Sequence, residues 1–337
     1  MRILVTAPGA RQNDQLYPPD VRNRLETLGE VVWNETGTQY SNSELRDRLR
    51  GVDVCITGWG APTLTAETLV EADSLELVAH VGGSVGDVAS DALYEQEVTV
   101  CSANHVMAPF VAEGILAAVL SSLRDLSQLD DAMKGGDWPS NRKRRSETLY
   151  DATLGFVGLG AVGRNLLSHL EPFDVTVNLY DPYVSADDLA DVPWVSLTDL
   201  EGALAGADVV SIHAARTPET VHMLDREMLA KLPDGSLLVN AARGAIVDEE
   251  ALVAELGSGR IAAALDVYED EPLPEEHPLR DQENALLAPH VAGSPCRRYL
   301  ADAVVSDIER YSRGEPLENP ISRERFELMT RQLECER

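Results

Sequence analysis

Lysine is almost absent from this 337-residue chain, which has only Lys134, Lys143 and Lys231. The 57 acidic residues outnumber the 28 basic ones and give a formal net charge of -29. A field of that sign repels phosphate and therefore disfavours nucleic-acid binding. A disordered acidic chain is disfavoured too, because 44% of the residues are hydrophobic and fall in periodic runs. The composition predicts a folded protein with a carboxylate-rich surface.

Cysteine and long apolar runs are also scarce. The four cysteines (Cys55, Cys101, Cys296 and Cys335) form no C-x-x-C pair and show no metal-ligand spacing. No apolar run approaches the ~20 residues that cross a bilayer. The opening segment Met1–Thr6 is too short for the apolar region of a signal peptide. These absences predict a cytoplasmic protein without a structural metal.

The charge balance also bears on the solvent in which the protein works. An acidic surface repels itself at low salt, but at molar salt the Debye length falls to ~3 Å and the repulsion fades. Acid excess with so little lysine resembles the proteins of haloarchaea, which accumulate salt. An ordinary acidic cytosolic enzyme is the alternative interpretation.

The most informative pattern is a glycine-rich turn that follows a short apolar run. Thr153–Val157 leads into Gly158-x-Gly160-x-x-Gly163, and residues 161–170 have the pattern of a helix. Gly158 would permit a tight turn, Gly160 the approach of a pyrophosphate, and Gly163 close packing of helix on strand. The helix N-terminus offers free N–H groups to the phosphates. The pattern predicts a dinucleotide site, and a glycine-rich turn without a ligand is the alternative.

A carboxylate ends the next strand-like run. Val175–Tyr180 is followed by Asp181, 18 residues after Gly163. An acidic residue at this place binds the hydroxyls of an adenosine ribose. Its charge would repel a 2′-phosphate, and residues 182–185 contain no Arg or Lys to bind one. The sequence therefore predicts NAD rather than NADP.

Strand-like and helix-like segments alternate along both halves of the chain. In the first hundred residues, helical patterns such as Glu44–Leu49 and Ala66–Ala72 lie between five short apolar runs. Such alternation predicts a parallel sheet covered by helices. Six further runs have their carboxyl ends at Gly158, Asp181, His213, Asn240, Asp266 and Pro289.

Three segments outside these runs determine the predicted domain organisation. A long helix pattern begins at about Pro109 and ends near Leu126, with Pro109 in its first turn. Lys134–Ser146 is polar and is interpreted as a loop or arm, whose basic run 142–145 would bind an anion or an acidic neighbouring subunit, or remain solvated. The helical segment Arg297–Arg313 is expected to pack on the first domain.

The chain would then cross between domains near residues 104 and 294, with a hinge over a cleft. We predict two doubly wound parallel-sheet α/β domains. The substrate domain, residues 1–103 and 294–337, is flavodoxin-like, and a Rossmann coenzyme domain, residues 104–293, is inserted in it.

Residues suited to hydride transfer follow three of the predicted strands. Arg243 follows Val239-Asn-Ala-Ala, Glu271 lies five residues after Asp266, and His290 lies in Pro289-His-Val-Ala-Gly293. With the glycine motif, Ala207–His213, Thr217–Thr220 and Asn240–Asp248, this order and spacing resembles the D-2-hydroxyacid dehydrogenase family, and the match covers about residues 75 to 294.

The resemblance implies a role for each of the three residues. Arg243 binds the substrate carboxylate, for which its planar fork is suited. His290 is the acid/base, a task for a group that titrates near neutral pH. Glu271 would hold His290 and raise its pKa. Glu269 and Asp270 are nearby rivals, and only the family's spacing selects Glu271.

The resemblance also implies the cofactor site. Asp266 would lie beside the nicotinamide, and His213 and Thr217 would line the adenine side, with His213 as an alternative acid. The predicted cofactor-binding residues are Gly158, Gly160, Ala161, Val162, Gly163, Asp181, His213, Thr217, Ala241, Ala242 and Asp266.

The first domain departs from the family's commonest substrate loop, Arg-Ala-Gly-Val-Gly-Val-Asp. Here the loop reads His80-Val-Gly-Gly-Ser-Val-Gly-Asp87, the form of a Gly-Ser-Val subgroup that also has a turn like Thr57–Gly60. By resemblance, the N–H groups of Gly83, Ser84 and Val85 bind the substrate carboxylate. Trp59 would wall the pocket, with a packing role as the alternative.

The resemblance therefore implies an NAD-dependent D-2-hydroxyacid dehydrogenase acting on a small 2-keto acid such as glyoxylate or hydroxypyruvate. A homodimer through the coenzyme domains is expected, with the helix from Pro109 and the arm to Ser146 as the contact. The alternatives are another hydride donor, such as formate or phosphite, and an NAD(H)-sensing regulator. The sequence names neither the acid nor the direction of the reaction.

Overall fold

The structure is a computed structural model that describes residues 1–13, 15–139 and 147–329. The chain divides into two compact units. Unit 1 is Met1–Ala108 with the described part of Ser294–Arg337, and unit 2 is Pro109–Gly293. The first boundary lies five residues beyond the predicted one. The helix Asn104–Leu123 begins at the predicted point and continues through the observed boundary.

Unit 1 is built on a sheet of five parallel strands. The strands are β1 Arg2–Pro8, β2 Glu30–Asn34, β3 Val54–Gly58, β4 Leu77–Val81 and β5 Thr99–Ser102. The helices are α1 Pro19–Leu28, α2 Asn42–Arg48, α3 Asp91–Glu95, α10 Arg297–Ser312 and α11 Arg323–Glu327. Every residue of β3 and β4 is buried, which explains their continuous apolar sequences. The order β2-β1-β3-β4-β5 confirms the predicted flavodoxin-like sheet.

Helix α10 packs on unit 1, as the sequence predicted. It contacts α1, β4 and β5. Arg24 of α1 donates to Glu309 at 2.7 Å and also binds Asp302, so an ion-pair network borders the apolar contact. The buried apolar residues of α10 are Leu300, Ala301, Val304, Val305 and Ile308.

One predicted helix of unit 1 is wrong. Residues 66–72 form a series of turns rather than a helix. The Thr68 hydroxyl donates to the Thr65 carbonyl at 2.9 Å and to the Thr63 carbonyl at 3.3 Å. Such side-chain bonds occupy backbone acceptors and compete with the helical pattern.

Unit 2 is built on seven parallel strands. They are β6 Thr153–Val157, β7 Thr176–Tyr180, β8 Val195–Leu197, β9 Val209–Ile212, β10 Leu237–Asn240, β11 Ala262–Leu265 and β12 Ala285–Leu287. The helices are α4 Asn104–Leu123, α5 Leu126–Lys134, α6 Ala161–Leu170, α7 Leu200–Leu204, α8 Arg226–Leu229 and α9 Glu249–Gly257. The order β12-β11-β10-β9-β6-β7-β8 is doubly wound and reverses at β6, where such sheets bind ligands. The sequence missed β8, a three-residue edge strand with two exposed residues.

Helix α4 differs from its prediction in two respects. It begins at Asn104, five residues before Pro109, and ends at Leu123. Contrary to the sequence analysis, it is long and apolar enough to cross a membrane by length and composition, a test that a core helix of a soluble protein also passes. Its buried residues in the core of unit 2 are Ala112, Ile115, Val119 and Leu123. The basic run predicted at 142–145 lies outside the described residues.

Candidate active site

The glycine turn joins β6 to α6. Gly158 has a φ of +88°, and a Cβ there would lie 2.8 Å from the Ala214 nitrogen, so only glycine fits. A Cβ at Gly163 would lie 3.2 Å from the His213 ring. The absence of this atom allows α6 to pack closely against the end of β9. Gly160 precedes α6 and offers no side chain to its first N–H groups. An open backbone at a helix N-terminus fits a pyrophosphate.

Asp181 lies at the end of β7, beside this turn. Its Oδ2 accepts a hydrogen bond from Leu159 N–H at 2.7 Å, and its Oδ1 accepts one from Tyr183 N–H at 2.8 Å. Because Leu159 lies between Gly158 and Gly160, Asp181 also stabilises the turn. Each carboxylate oxygen has a second acceptor position, which leaves room for a ribose hydroxyl.

His213 ends β9 and packs its ring against Phe156, with 4.7 Å between the ring centroids. Its two ring nitrogens are buried and have no hydrogen-bond partner among the residues that the structure describes. Burial lowers the pKa of His213 to about 3, so the ring is neutral at physiological pH. A group in this state supplies no proton near neutrality, which disfavours the alternative that His213 is the acid.

Thr217 lies in a turn that Thr220 organises. The Thr220 hydroxyl donates to the Ala215 carbonyl at 2.6 Å and accepts from Thr217 N–H at 2.8 Å. Thr220 N–H donates to the Thr217 carbonyl at 3.1 Å. These bonds fix the loop after β9 at the carboxyl edge of the sheet, on the same edge as the glycine turn.

Arg243 lies in the loop after β10, and Asn240 shapes that loop. The Asn240 side chain donates to the Arg243 carbonyl at 2.9 Å and accepts from Ala242 N–H at 3.0 Å. Arg243 Nη1 donates to the Ala242 carbonyl at 2.6 Å. The half-buried guanidinium acts electrostatically on both Glu271 and His290, which places the three groups in one constellation.

Asp266 ends β11 and holds the backbone that follows His290. Its Oδ1 accepts from Val291 N–H at 2.7 Å and its Oδ2 accepts from Ala292 N–H at 2.8 Å. His290 itself has a φ of +53°, in the left-handed region that disfavours a residue with a Cβ. Strained backbone of this kind is concentrated at functional sites, and the buried Asp266 carboxylate maintains it here.

Glu271 and His290 form a short ion pair. Glu271 Oε2 lies 2.7 Å from His290 Nδ1, and Glu271 Oε1 accepts from Tyr268 N–H at 3.1 Å. The bond with Glu271 raises the pKa of His290, against burial, which acts in the opposite direction. Burial alone would raise the pKa of Glu271, but the bonds from His290 and Tyr268 outweigh it and lower that pKa. The pair therefore favours imidazolium beside carboxylate, with Nε2 turned away from Glu271.

The rival Glu269 contacts another side chain. Glu269 Oε1 is 2.7 Å from His222 Nε2, so this side chain has a different histidine partner. The structure assigns the His290 contact to Glu271, the residue that the family's spacing selects.

In unit 1, the loop after β4 offers backbone rather than charged side chains. The buried Val85 side chain lies in the core, and Ser84 Oγ accepts from Gly86 N–H at 3.1 Å. A Cβ at Gly83 would lie 3.2 Å from Met107 Sδ. Trp59 is 41% exposed, so it is not a core residue, and its carbonyl accepts from Gln39 Nε2 at 2.9 Å.

Comparison with known proteins identifies the family to which the chain belongs. Residues 116–292 match the family model described as D-isomer specific 2-hydroxyacid dehydrogenase, NAD binding domain. The chain belongs to this family. It is 32% identical to a glyoxylate reductase of Thermofilum pendens, over 89% of this chain and 91% of that protein.

Two further relatives widen the range of family members that the chain is similar to. It is 30% identical to a D-3-phosphoglycerate dehydrogenase of Methanocaldococcus jannaschii, over 96% of this chain and 59% of that protein. A solved D-isomer specific 2-hydroxyacid dehydrogenase from Xanthobacter autotrophicus Py2, in complex with NADPH and MES, is 28% identical, with a TM-score of 0.73 over 96% of this chain and 99% of that one. The chain spans 49% to 59% of the first two phosphoglycerate dehydrogenases it matches.

The structure adds residues that the sequence analysis did not assign a role. Asn240 was noted as a strand end, and Thr220 was noted within a motif, but neither was predicted to shape its loop. Tyr268 was not singled out, although its N–H holds Glu271 and its hydroxyl donates to the Ala288 carbonyl at 2.9 Å. Polar residues at strand ends are the signal that pointed to Asn240, whereas a backbone N–H leaves no signal in sequence.

Proposed function

We propose that the protein is an NAD-dependent dehydrogenase that interconverts a small 2-keto acid and its D-2-hydroxy acid. The observation that carries this proposal is the 2.7 Å contact between Glu271 and His290 beside the guanidinium of Arg243. A paired imidazolium donates a proton to a carbonyl oxygen, and an arginine fork binds the adjacent carboxylate. Within one unit, the site holds both groups that keto-acid reduction needs.

The residues that would hold the cofactor are the glycine turn, with Ala161 and Val162 opening α6, and Asp181 at the ribose. Ala241, Ala242 and Asp266 at the strand ends complete this proposed set, with His213 and Thr217 on the adenine side. When bound, the nicotinamide supplies or accepts the hydride. In reduction His290 Nε2 gives up the proton, and in oxidation neutral His290 takes it back, while Glu271 stabilises the charged form.

We propose NAD rather than NADP as the preferred cofactor. Asp181 would present its carboxylate to the ribose, where a 2′-phosphate would be repelled. The Xanthobacter relative is in complex with NADPH, so the preference for NAD over NADP is to be measured in the present chain.

For the substrate, we propose a small 2-keto acid such as glyoxylate or hydroxypyruvate. The N–H groups of Gly83, Ser84 and Val85 would bind its carboxylate from unit 1, and exposed Trp59 would contact its remaining atoms. The similarity to the Thermofilum glyoxylate reductase supports this choice.

The test is NADH oxidation with glyoxylate, hydroxypyruvate and the 2-keto acid of 3-phosphoglycerate, in molar KCl, with His290→Ala as control. Turnover with a small keto acid that is lost in His290→Ala supports the proposal. If NADH binds but no keto acid is reduced, the alternative of an NAD(H)-sensing regulator is favoured. NADH production from formate or phosphite would favour the other hydride donors.

Two properties of the whole protein belong to the same proposal. We propose a homodimer through unit 2, because α4 is mostly not buried and the segment after it exposes Leu126, Met133 and Trp138. We also propose a cytoplasm rich in salt as its medium. A melting temperature that rises steeply with KCl would support this, and one that is unchanged from dilute buffer to molar KCl would contradict it.

A further inference from the structure

Two glutamates and two histidines form a network beside the catalytic constellation, within unit 2. Glu249 is the first residue of α9, and its Oε2 accepts from Glu269 N–H at 3.3 Å. In return, Glu249 N–H donates to Glu269 Oε1 at 3.3 Å. His277 Nε2 lies 3.0 Å from Glu249 Oε1, and His222 Nε2 lies 2.7 Å from Glu269 Oε1.

Burial raises the pKa of the Glu249 carboxyl, while the bond from Glu269 N–H and the neighbouring His277 act in the opposite direction and favour the carboxylate. His277 Nδ1 accepts from Leu279 N–H at 3.3 Å, so the proton of the neutral ring is on Nε2, facing Glu249. Both oxygens of Glu249 therefore face N–H donors. The residue is only 9% exposed, and a buried carboxylate is tolerated when its oxygens are paired in this way. The charged and titratable groups that act on it are His277, Glu269 and Asp270.

The network holds the Tyr268–Glu269 peptide, which precedes Glu271 in the same loop. On one side, Glu249 accepts from the Glu269 N–H of the Tyr268–Glu269 peptide. On the other, Gly244 approaches the same peptide so closely that a Cβ would lie 1.9 Å from the Tyr268 carbonyl carbon. Gly244 follows Arg243 directly, and Tyr268 N–H, which belongs to the adjacent Val267–Tyr268 peptide, donates to Glu271. One peptide thus links the loops that bear Arg243 and Glu271.

We infer that Glu249 is a positioning residue: by holding the Tyr268–Glu269 peptide against Gly244, it keeps Glu271 directed at His290 and Arg243 beside them. This inference rests on the proposed function. Glu249 acts through Glu271, and none of its described contacts is with Arg243, Glu271 or His290 themselves.

Replacement by glutamine separates this role from space filling. Glu249→Gln keeps the volume and one acceptor oxygen but presents an NH₂ group in place of the other. Whichever way the amide turns, its NH₂ group meets either Glu269 N–H or His277 Nε2–H, a donor against a donor. A residue that only fills space would tolerate this change, whereas a residue that grips the peptide would not. Glu250 is the matched control, because it is the next residue and is exposed.

The experiment compares Glu249→Gln, Glu250→Gln and Glu271→Gln in the full-length protein. The readouts are the pH profile of keto-acid reduction, the pKa of His290 from NMR titration of the histidine rings, the Kd for NADH and the melting temperature. Besides Glu271, the groups that act on His290 are Arg243 and Asp266. Glu271→Gln should move the reduction limb to lower pH by about 1 unit, because His290 loses its anionic partner.

Glu249→Gln should shift the His290 titration in the same direction by less, with kcat lowered and the Kd for NADH unchanged. Glu250→Gln should match the wild type. If Glu249→Gln also titrates like the wild type, whatever its melting temperature, the inference is wrong. If Glu271→Gln leaves the titration unchanged as well, it is the proposed acid/base pair that fails.

A second variant guards against loss of folding. Glu249→Asp keeps the charge but shortens the side chain by one methylene group, so it should lengthen the contact with Glu269 N–H. We expect a partial shift of the His290 titration in a folded protein. An unshifted titration in Glu249→Asp would overturn the inference even if Glu249→Gln failed to fold.

Discussion

The two units use different chemistry at the ends of their strands. Unit 2 presents charged side chains, with Arg243, Glu271 and His290 in electrostatic contact. Unit 1 presents the loop of Gly83 and Ser84, whose usable groups are mainly backbone N–H. A side-chain constellation needs particular residue types, and these are legible in a sequence. Backbone recognition would leave residue identity open, so the sequence indicates the proposed reaction class more narrowly than the acid.

A histidine of unit 1 and a histidine of unit 2 also differ, in the direction in which their pKa values are shifted. His80 of unit 1 is buried and lies 3.1 Å from the Thr57 hydroxyl, and burial lowers its pKa to about 4. His290 of unit 2 is half exposed beside a carboxylate, and its pKa is raised. His80 lies near the carboxyl end of β4, and His290 follows β12. The partner and the solvent, rather than the position at a strand end, decide which histidine can donate a proton near neutrality.

The largest expected effect tests the side-chain chemistry of unit 2. His290→Ala should reduce turnover by about 10²–10⁴-fold, the usual span for a lost general acid. Binding of NADH should be nearly unchanged, because the glycine turn and Asp181 are intact. Steady-state kinetics and NADH fluorescence titration measure the two properties. Loss of NADH binding in parallel with turnover would contradict an acid/base role.

Arg243→Lys should have the second largest effect on activity. Lysine keeps the charge but not the bidentate fork. Losing one charge-assisted pair should lower kcat/KM by a factor that corresponds to about 2–5 kcal/mol of transition-state stabilisation. The variant should still bind NADH. Kinetics with saturating NADH and a varied keto acid check the result, and turnover close to that of the wild type would return Arg243 to a structural role.

Asp181→Ala tests the cofactor end of unit 2. Loss of a charged hydrogen-bond partner should weaken NAD binding by about 1.5–3 kcal/mol and relax the preference against NADP. The KM values for both cofactors are the measurement, with Asp187→Ala, an exposed carboxylate in the next turn, as control. An unchanged ratio of the two KM values would show that Asp181 serves only the backbone N–H groups of Leu159 and Tyr183.

The smallest effect is expected in unit 1. Ser84→Ala removes the acceptor of Gly86 N–H but leaves the proposed N–H donors in place. We expect KM for the keto acid to rise by a factor that corresponds to about 0.5–1.5 kcal/mol of binding free energy. The value of kcat should change little. A loss as large as that of Arg243→Lys would mean that unit 1 also relies on side-chain chemistry, and the contrast between the units would fail.

Much of the fold could be predicted because parallel strands are buried on both faces. The apolar runs of β1–β7 and β9–β12 therefore stand out, and their alternation with helices predicts a parallel sheet in each unit. The errors have local causes. Thr68 hydroxyl bonds replace a helix by turns, β8 is too short and exposed to show an apolar run, and α4 begins before the proline that was taken as its start.

The sequence by itself determined the glycine turn, Asp181 and the set Arg243, Glu271 and His290, since each requires a residue type at a fixed spacing. Tertiary structure alone decided how these residues are held. Tyr268 N–H directs Glu271, Asp266 maintains the strained backbone at His290, and Glu249 grips a peptide 20 residues away in the chain. Backbone donors look alike in every sequence, so only the folded chain shows which of them meets which carboxylate.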